Sequence, residues 1–314
     1  MPPRRAILAA PFLAIPALAQ TRPMRIVVPF PPGGSLDIMT RLLQPLLAER
    51  LGQAVMIDNR PGGGTIIGTD AVAKAAPDGT TALMVANSFT INAALVRNPP
   101  FDARRDFTGV ASVGYNPHVL VVTPGLASDL AGLLALGRAT PGGLSYASFG
   151  QGTSGHLGGE SFRTASGLTL IHVPYRGAAQ AMQDVVGGRV AMMLSNLADA
   201  IPLVRGGRLT ALALADTARH PQFPDVPTFD EAGLPGVVSN SWFGLVARAD
   251  NPVAMLDGLH GAIDTVLTNP VLLARFDDIG VAPRSMPRPV FDGFLSEEFT
   301  RSARVIRDAG ITAD

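Results

Sequence analysis

A serine and a histidine stand two residues apart, at Ser154 and His156, within Ser148-Phe149-Gly150-Gln151-Gly152-Thr153-Ser154-Gly155-His156. Such a pair invites a hydrolase reading, but the spacing argues against it. A nucleophile elbow needs G-x-S-x-G on a sharp strand-to-helix turn, and the order here is Gly-Thr-Ser-Gly-His. Residues two apart on a helix also do not face each other. Asp37 and His156 are the only side chains that can be named as a base in a small-acid enzyme. His118, His156, His172, His220 and His260 form no H-x-x-x-H or H-x-H cluster, so no zinc site is expected. Gly62, Gly64 and Gly68 are spaced one residue too long for a dinucleotide fingerprint, and the next strand ends in Ala86-Asn87-Ser88 with no acidic residue. Lys74 is the only lysine and lies outside any P-loop pattern. No cofactor is expected.

Two glycine loops point to different chemistry. In Phe30-Pro31-Pro32-Gly33-Gly34-Ser35-Leu36-Asp37 a strand runs into glycines and then a helix. Around Ser148 to Leu157 the same order returns, with the helix opened by Thr153 or Ser154. A helix N-terminus carries free N–H groups and partial positive charge, and is a ready anion site. Asp37 suits either an ammonium group or the helix start. An ordinary strand-to-helix turn is the alternative reading of the first loop. Tyr175-Arg176-Gly177 is another strand-to-helix turn, and Asn87 and Asn196 each follow an apolar strand. In open α/β sheets such positions border the ligand cleft.

The elements that must position these loops alternate. Strands are expected at 25–30, 55–57, 82–86, 119–123, 144–148, 169–173, 189–194, 209–215 and 243–247. Helices are expected from Leu36 to Gly52, through about Ala75, and over 129–139, 153–166, 177–187, 253–268, 270–279 and 290–309, with Pro45 kinking the first. The proline-rich 221–235 reads as an irregular connector. Alternation of this kind predicts an α/β fold with mainly parallel sheets flanked by helices.

Composition narrows the function classes. The 314 residues carry 25 basic and 25 acidic side chains, so nothing marks a partner in nucleic acid or an anionic membrane. Hydrophobic residues make up 47%, enough for two packed cores, and the absence of cysteine excludes disulfides and thiol catalysis. Arg4 and Arg5, the apolar run Ala6 to Pro16 and the small-x-small Ala17-Leu18-Ala19 read as a secretory signal peptide over 1–19, cleaved near Ala19. A periplasmic location is the expectation; Sec and twin-arginine export both remain open.

With these stretches in place the sequence resembles the substrate receptors of tripartite tricarboxylate transporters, the Bug-type periplasmic solute-binding proteins. The likeness spans nearly the whole mature chain. It is carried by Ile26 through Asp37, Asn59-Arg60-Pro61-Gly62, Ala76-Pro77-Asp78-Gly79, Ser148 through Leu157 and His172-Val173-Pro174-Tyr175-Arg176-Gly177. Asp225-Val226-Pro227-Thr228, Glu231 through Gly236 and Trp242-Phe243-Gly244-Leu245 complete it. The resemblance implies a two-lobed periplasmic-binding-protein fold, type II-like, with two crossovers. Lobe one would be 22–123 plus 243–314, and lobe two 124–242, hinged near Thr123 and Ser241. It also implies a carboxylate held by loop backbone groups and waters. By motif position the ligand-binding residues are Phe30, Gly33, Gly34, Asp37, Ser148, Gly150, Thr153 and His156, with Tyr175, Asn87 and Asn196 added. Thr65 departs from the pattern where such receptors often repeat a glycine, and Arg248 where a proline is usual.

The expected function is therefore a monomeric, non-enzymatic receptor that closes on a small organic acid or amino acid and presents it to membrane transporter subunits. A sensing accessory for a signalling system and an enzyme acting on a small acid are the alternatives.

Overall fold

The computed structural model describes residues 22–309 and Ile311, so the signal-peptide reading falls outside the described residues. The chain opens with β1 (Met24–Val28), α1 (Ser35–Leu51), β2 (Val55–Asn59), a short 3-10 turn (Gly63–Thr65), α2 (Ile66–Ala73), β3 (Thr81–Ala86) and α3 (Asn87–Leu95). Strand β4 (Phe107–Val122) carries it out of this lobe. The second lobe contains α4 (Leu130–Ala139), β5 (Leu144–Ser148), α5 (Ser154–Ser166), β6 (Leu170–Pro174), α6 (Ala178–Val186), β7 (Met192–Asn196), α7 (Leu197–Arg205) and β8 (Thr210–Leu214). Strand β9 (Asn240–Arg248) returns, followed by α8 (Val253–Leu267), α9 (Pro270–Asp278), β10 (Ala282–Pro283) and α10 (Arg288–Ala309). Among the described residues no helix is long and apolar enough to cross a membrane.

Each lobe is built on a mixed sheet. The first runs β2-β1-β3-β9-β4-β10, with β1 parallel to β2 and β3 and the rest antiparallel. The second runs β8-β4-β7-β5-β6, with β5 parallel to β6 and β7. Strand β4 belongs to both. Its residues 107–117 pair with β9, and from His118 onward it pairs with β7 and β8. Only the β-branched end of this strand, from Val119, carries a strand signal in the sequence. The earlier half, Phe107 to Pro117, carries glycine, serine and asparagine, which weaken a strand signal.

Strand alternation packs both faces of each sheet. Met24, Ile26 and Val28 of β1 enter one core with Met39, Leu43 and Leu47 of α1, while Val27 enters the core on the opposite face. In the second lobe Val119 and Val121 of β4 face one core, and Leu120 and Val122 face the other. Helix α1 runs through Pro45 without ending and stops at Gly52, whose left-handed φ of 64° lets its N–H reach Glu49 O.

Two helices have no boundary signal in the sequence. Helices α3 and α7 begin directly where β3 and β7 end, with no glycine or proline turn to mark the change of period. Asn87 and Asn196 sit at those junctions.

The departure at Thr65 has a conformational cost. Thr65 adopts φ 81°, a left-handed value that a β-branched residue rarely takes. Thr65→Gly is expected to raise the unfolding free energy by about 1 kcal/mol, since the strain of such a residue exceeds the entropy that glycine loses. Urea unfolding of the two proteins measures it, and a loss of stability would show that the threonine is held there favourably.

Candidate functional site

Five helices start at one cavity. The N-cap residues Gly34 of α1, Ala86 of α3, Thr153 of α5, Gly177 of α6 and Asn196 of α7 all line the same space, of about 220 Å³. None of these five N-caps closes its own helix with a side-chain hydrogen bond. Each helix end carries about half a positive charge. Asp37 and Asp199 sit in the first turns of α1 and α7, so the starts of α3, α5 and α6, with Arg176, the one charged side chain among the described lining residues, give the cavity its uncompensated positive character. The cavity draws its walls from both lobes, with Phe30, Ser35 and Phe243 from one and Phe149, Thr153 and Ala178 from the other.

The loop before α1 is held from behind. Gly33, at φ 91°, donates its N–H to Asp37 Oδ2 at 3.0 Å. Arg41 Nε donates to the same oxygen at 2.8 Å, and Asn59 Nδ2 donates to Asp37 Oδ1 at 2.9 Å and to Phe30 O at 3.1 Å. Burial works to raise the Asp37 carboxyl pKa, but the Arg41, Gly33 and Asn59 donors outweigh it and hold the group below the usual carboxylate range. Asp37 is thus a charged brace for the loop and is absent from the cavity wall. Gly33 faces a separate depression beside Ala179 and Asp199.

The second loop is braced in a similar way. Ser148 Oγ accepts the Gly150 N–H at 3.2 Å and lies 2.7 Å from His172 Nε2. Thr153 Oγ1 donates to Gly150 O at 2.6 Å. A Cβ added to Gly150, at φ 138°, would lie 2.9 Å from Tyr175 O, so only glycine fits. His156 stacks on His172 at 4.0 Å between ring centroids, and Tyr146 stacks on the other side of His172 at 4.9 Å. His156 Nδ1 accepts the Gly152 N–H at 3.4 Å. It therefore supports the loop rather than lining the cavity. Tyr175 donates to Asp184 Oδ2 at 2.6 Å, and with Gly150 it lines an adjoining depression that shares Phe30, Phe149, Thr153 and Arg176 with the main one.

A buried polar chain joins the crossing strands to the cavity. His118 of β4 lies 2.9 Å from Ser239 Oγ and 3.2 Å from Ser241 Oγ, and Ser241 Oγ lies 2.8 Å from Ser154 Oγ. Asn196 Nδ2 donates to Ser35 Oγ of the other lobe at 2.7 Å, and to Asp199 Oδ2 at 3.3 Å. Asp199 stands beside Ser35, whose polar groups together with Asn196 favour its charged form. Burial still pushes Asp199 up, to about 6. Asn87 accepts the Trp242 N–H at 3.1 Å and donates to Asn240 O at 3.3 Å, which pins the start of β9 and faces away from the main cavity.

Of the residues read from the sequence, Phe30, Gly34, Thr153 and Asn196 line the main cavity. Gly33, Asp37, Asn87, Ser148, Gly150, His156 and Tyr175 stand behind or beside it. Sequence reasoning did not select Ser35, Ser88, Phe149, Ser154, Arg176, Ser241 or Phe243 as site residues. Several lie within the quoted motifs, and the sign available was adjacency to a helix start. Ser241 and Phe243 arrive on the returning β9 and carry no such sign. Among the described residues no group of three or more potential ligands is placed to hold a metal ion.

Comparison with known proteins adds relatives. The family described as the tripartite tricarboxylate transporter family receptor matches residues 39–311. The chain is similar to Protein BugT of Bordetella pertussis, with 36% identity over 304 residues, covering 95% of this chain and 93% of that one. It is similar to a solved R. palustris protein with adipate, at TM-score 0.89 and 32% identity, over 93% of this chain and 98% of that one. It also resembles MatC from Rhodopseudomonas palustris with bound malate, at TM-score 0.82 and 29% identity, over 90% of this chain and 98% of that one.

The buried histidines set an acid limit. Burial pushes His118 down to about 3, and burial with the neighbouring His156 pushes His172 down to about 4. An unfolded histidine titrates near 6.5, so below that pH the unfolded chain takes up protons that the folded chain refuses. Asp199 acts in the opposite sense, because its raised folded value favours the native state as pH falls below about 6. Two histidines outweigh one carboxyl between pH 6 and pH 4. The urea midpoint is expected to fall from pH 7 to pH 5; a rise over that interval would contradict the neutral, buried state of both rings.

Proposed function

The chain belongs to the tripartite tricarboxylate transporter receptor family, and we propose that it captures a small carboxylate-bearing solute between its lobes and delivers it to a tripartite tricarboxylate-type membrane transporter. It is a binding protein and not an enzyme. The observation that carries the ligand class is the set of five helix N-caps around one cavity. Backbone N–H groups at helix starts favour an anion; the Ala198 N–H of α7 already donates to Asn116 Oδ1 at 3.2 Å, and a carboxylate would supply acceptors for the unpaired groups at the other starts. The relatives with adipate and malate support the same class.

The proposed moving bodies are about 22–123 with 243–314, and about 124–242, joined through β4 and β9. Closure of two lobes about such connections is a hinge motion. Closure would bury the solute, because contacts from both walls form only when the lobes meet. The proposed route is export through residues 1–19 to the periplasm, and the proposed working form is a monomer.

Thermal unfolding with paired probes tests the ligand class. Succinate and benzoate are expected to raise Tm at millimolar concentration, because a ligand bound only to the folded state stabilises it by mass action. Succinamide and benzamide, which lack the negative charge, are expected to leave Tm unchanged. Equal shifts from the amides, or no shift from any carboxylate, would overturn the proposal.

A further inference from the structure

The cavity wall restricts what can lie beyond the carboxylate. Phe30, Leu36, Phe149 and Phe243 present apolar surface, and Ala86 and Ala179 extend it. Most polar side chains in the same wall already have protein partners. Thr153 donates to Gly150 O, Ser154 pairs with Ser241, and Ser241 also meets His118. Ser35 is engaged by Asn196. Asn196 Oδ1 lacks a partner but is sealed from contact, so a ligand donor does not reach it. Ser88, in the first turn of α3, adds a hydroxyl beside a helix end, where a carboxylate oxygen suits it. Gln180 stands exposed at the mouth.

The charges point the same way. Among the described residues no acidic side chain lines the cavity. Asp37 is committed to Gly33, Arg41 and Asn59, and Asp199 lies behind Ser35 and Asn196. An ammonium group inside would meet Arg176 and the positive starts of α3, α5 and α6, which have no acidic first-turn residue; Asp37 and Asp199, in the first turns of α1 and α7, stand outside the wall. A hydroxyl on the buried body would lose its water and compete with the carboxylate for Ser88, the wall hydroxyl that no group among the described residues engages.

From this wall we propose that the solute is an acid with an unsubstituted hydrocarbon body, aliphatic or aromatic, and that hydroxy acids and amino acids are disfavoured. The proposal rests on the carboxylate-receptor reading above and adds the chemistry of the body. The carboxylate lies at the helix starts, and the hydrocarbon lies against the phenylalanines. Each carbon-bound hydrogen replaced by hydroxyl or ammonium costs affinity because that group must leave water for a wall whose polar side chains are mostly engaged within the protein.

Isothermal titration of the mature protein with pairs that differ by one substituent tests it. The pairs are succinate and malate, 4-methylpentanoate and leucine, and 3-phenylpropanoate and phenylalanine. Wherever a pair binds, the unsubstituted member is expected to bind at least tenfold more tightly. Malate, leucine or phenylalanine binding as tightly as its parent, or more tightly, would overturn the proposal while leaving the carboxylate-receptor reading intact. If none of the six binds and the paired acids and amides of the thermal test also give no shift, the receptor reading itself fails, and this inference with it.

Discussion

The first turn of an α-helix leaves backbone N–H groups that nothing within the helix can satisfy. In this chain five such ends face one space, and much of the architecture serves to bring them there. Strand-to-helix connections put each end beyond the carboxyl edge of a strand, where an open α/β sheet binds its ligands. The two lobes contribute α1 and α3 from one side and α5, α6 and α7 from the other. The positive end of a helix is a fixed property of its backbone, so the site needs few charged side chains. Arg176 is the one it has among the described lining residues.

Charged and polar groups behind the wall keep the loops in shape. Asp37 gathers the N–H of Gly33 and the side chains of Arg41 and Asn59, and so fixes the turn before α1. Ser148, His172 and His156 do comparable work for the turn before α5. A buried hydrogen bond contributes only about 0.5–1.5 kcal/mol net, yet leaving one of these donors unmade inside the protein costs more. That asymmetry makes the braces exacting. The same holds at the lobe boundary, where Asp199 and Asn196 of one lobe meet Ser35 of the other. This contact ties lobe position to the state of α1, the helix whose start also lines the cavity.

Much of this arrangement was legible in the sequence, because glycine loops and helical periodicity are local signals. The loops at Phe30–Asp37 and Ser148–His156 were found from their glycines, and most strands and helices lie within a few residues of their expected bounds. Other features depend on residues far apart in the chain. Nothing local to His156 indicates that it stacks on His172, or that Asp37 turns inward to Gly33 and Asn59. Helices α3 and α7 follow their strands without a turn, so their starts gave no punctuation. Strand β4 reads as strand only in its β-branched half, although it spans both lobes. Ser241 and Phe243 reach the cavity because β9 returns beside β4, which is a tertiary fact.

In the proposed mode of binding, backbone N–H groups at converging helix starts hold the carboxylate. Amide chemical shifts, followed as succinate is titrated into isotope-labelled protein, test it most directly. The largest changes are expected on Gly34 to Leu36, Thr153 to Gly155 and Gly177 to Ala179. Changes centred elsewhere, such as on the Arg104 and Arg105 surface, with those amides unmoved, would contradict it.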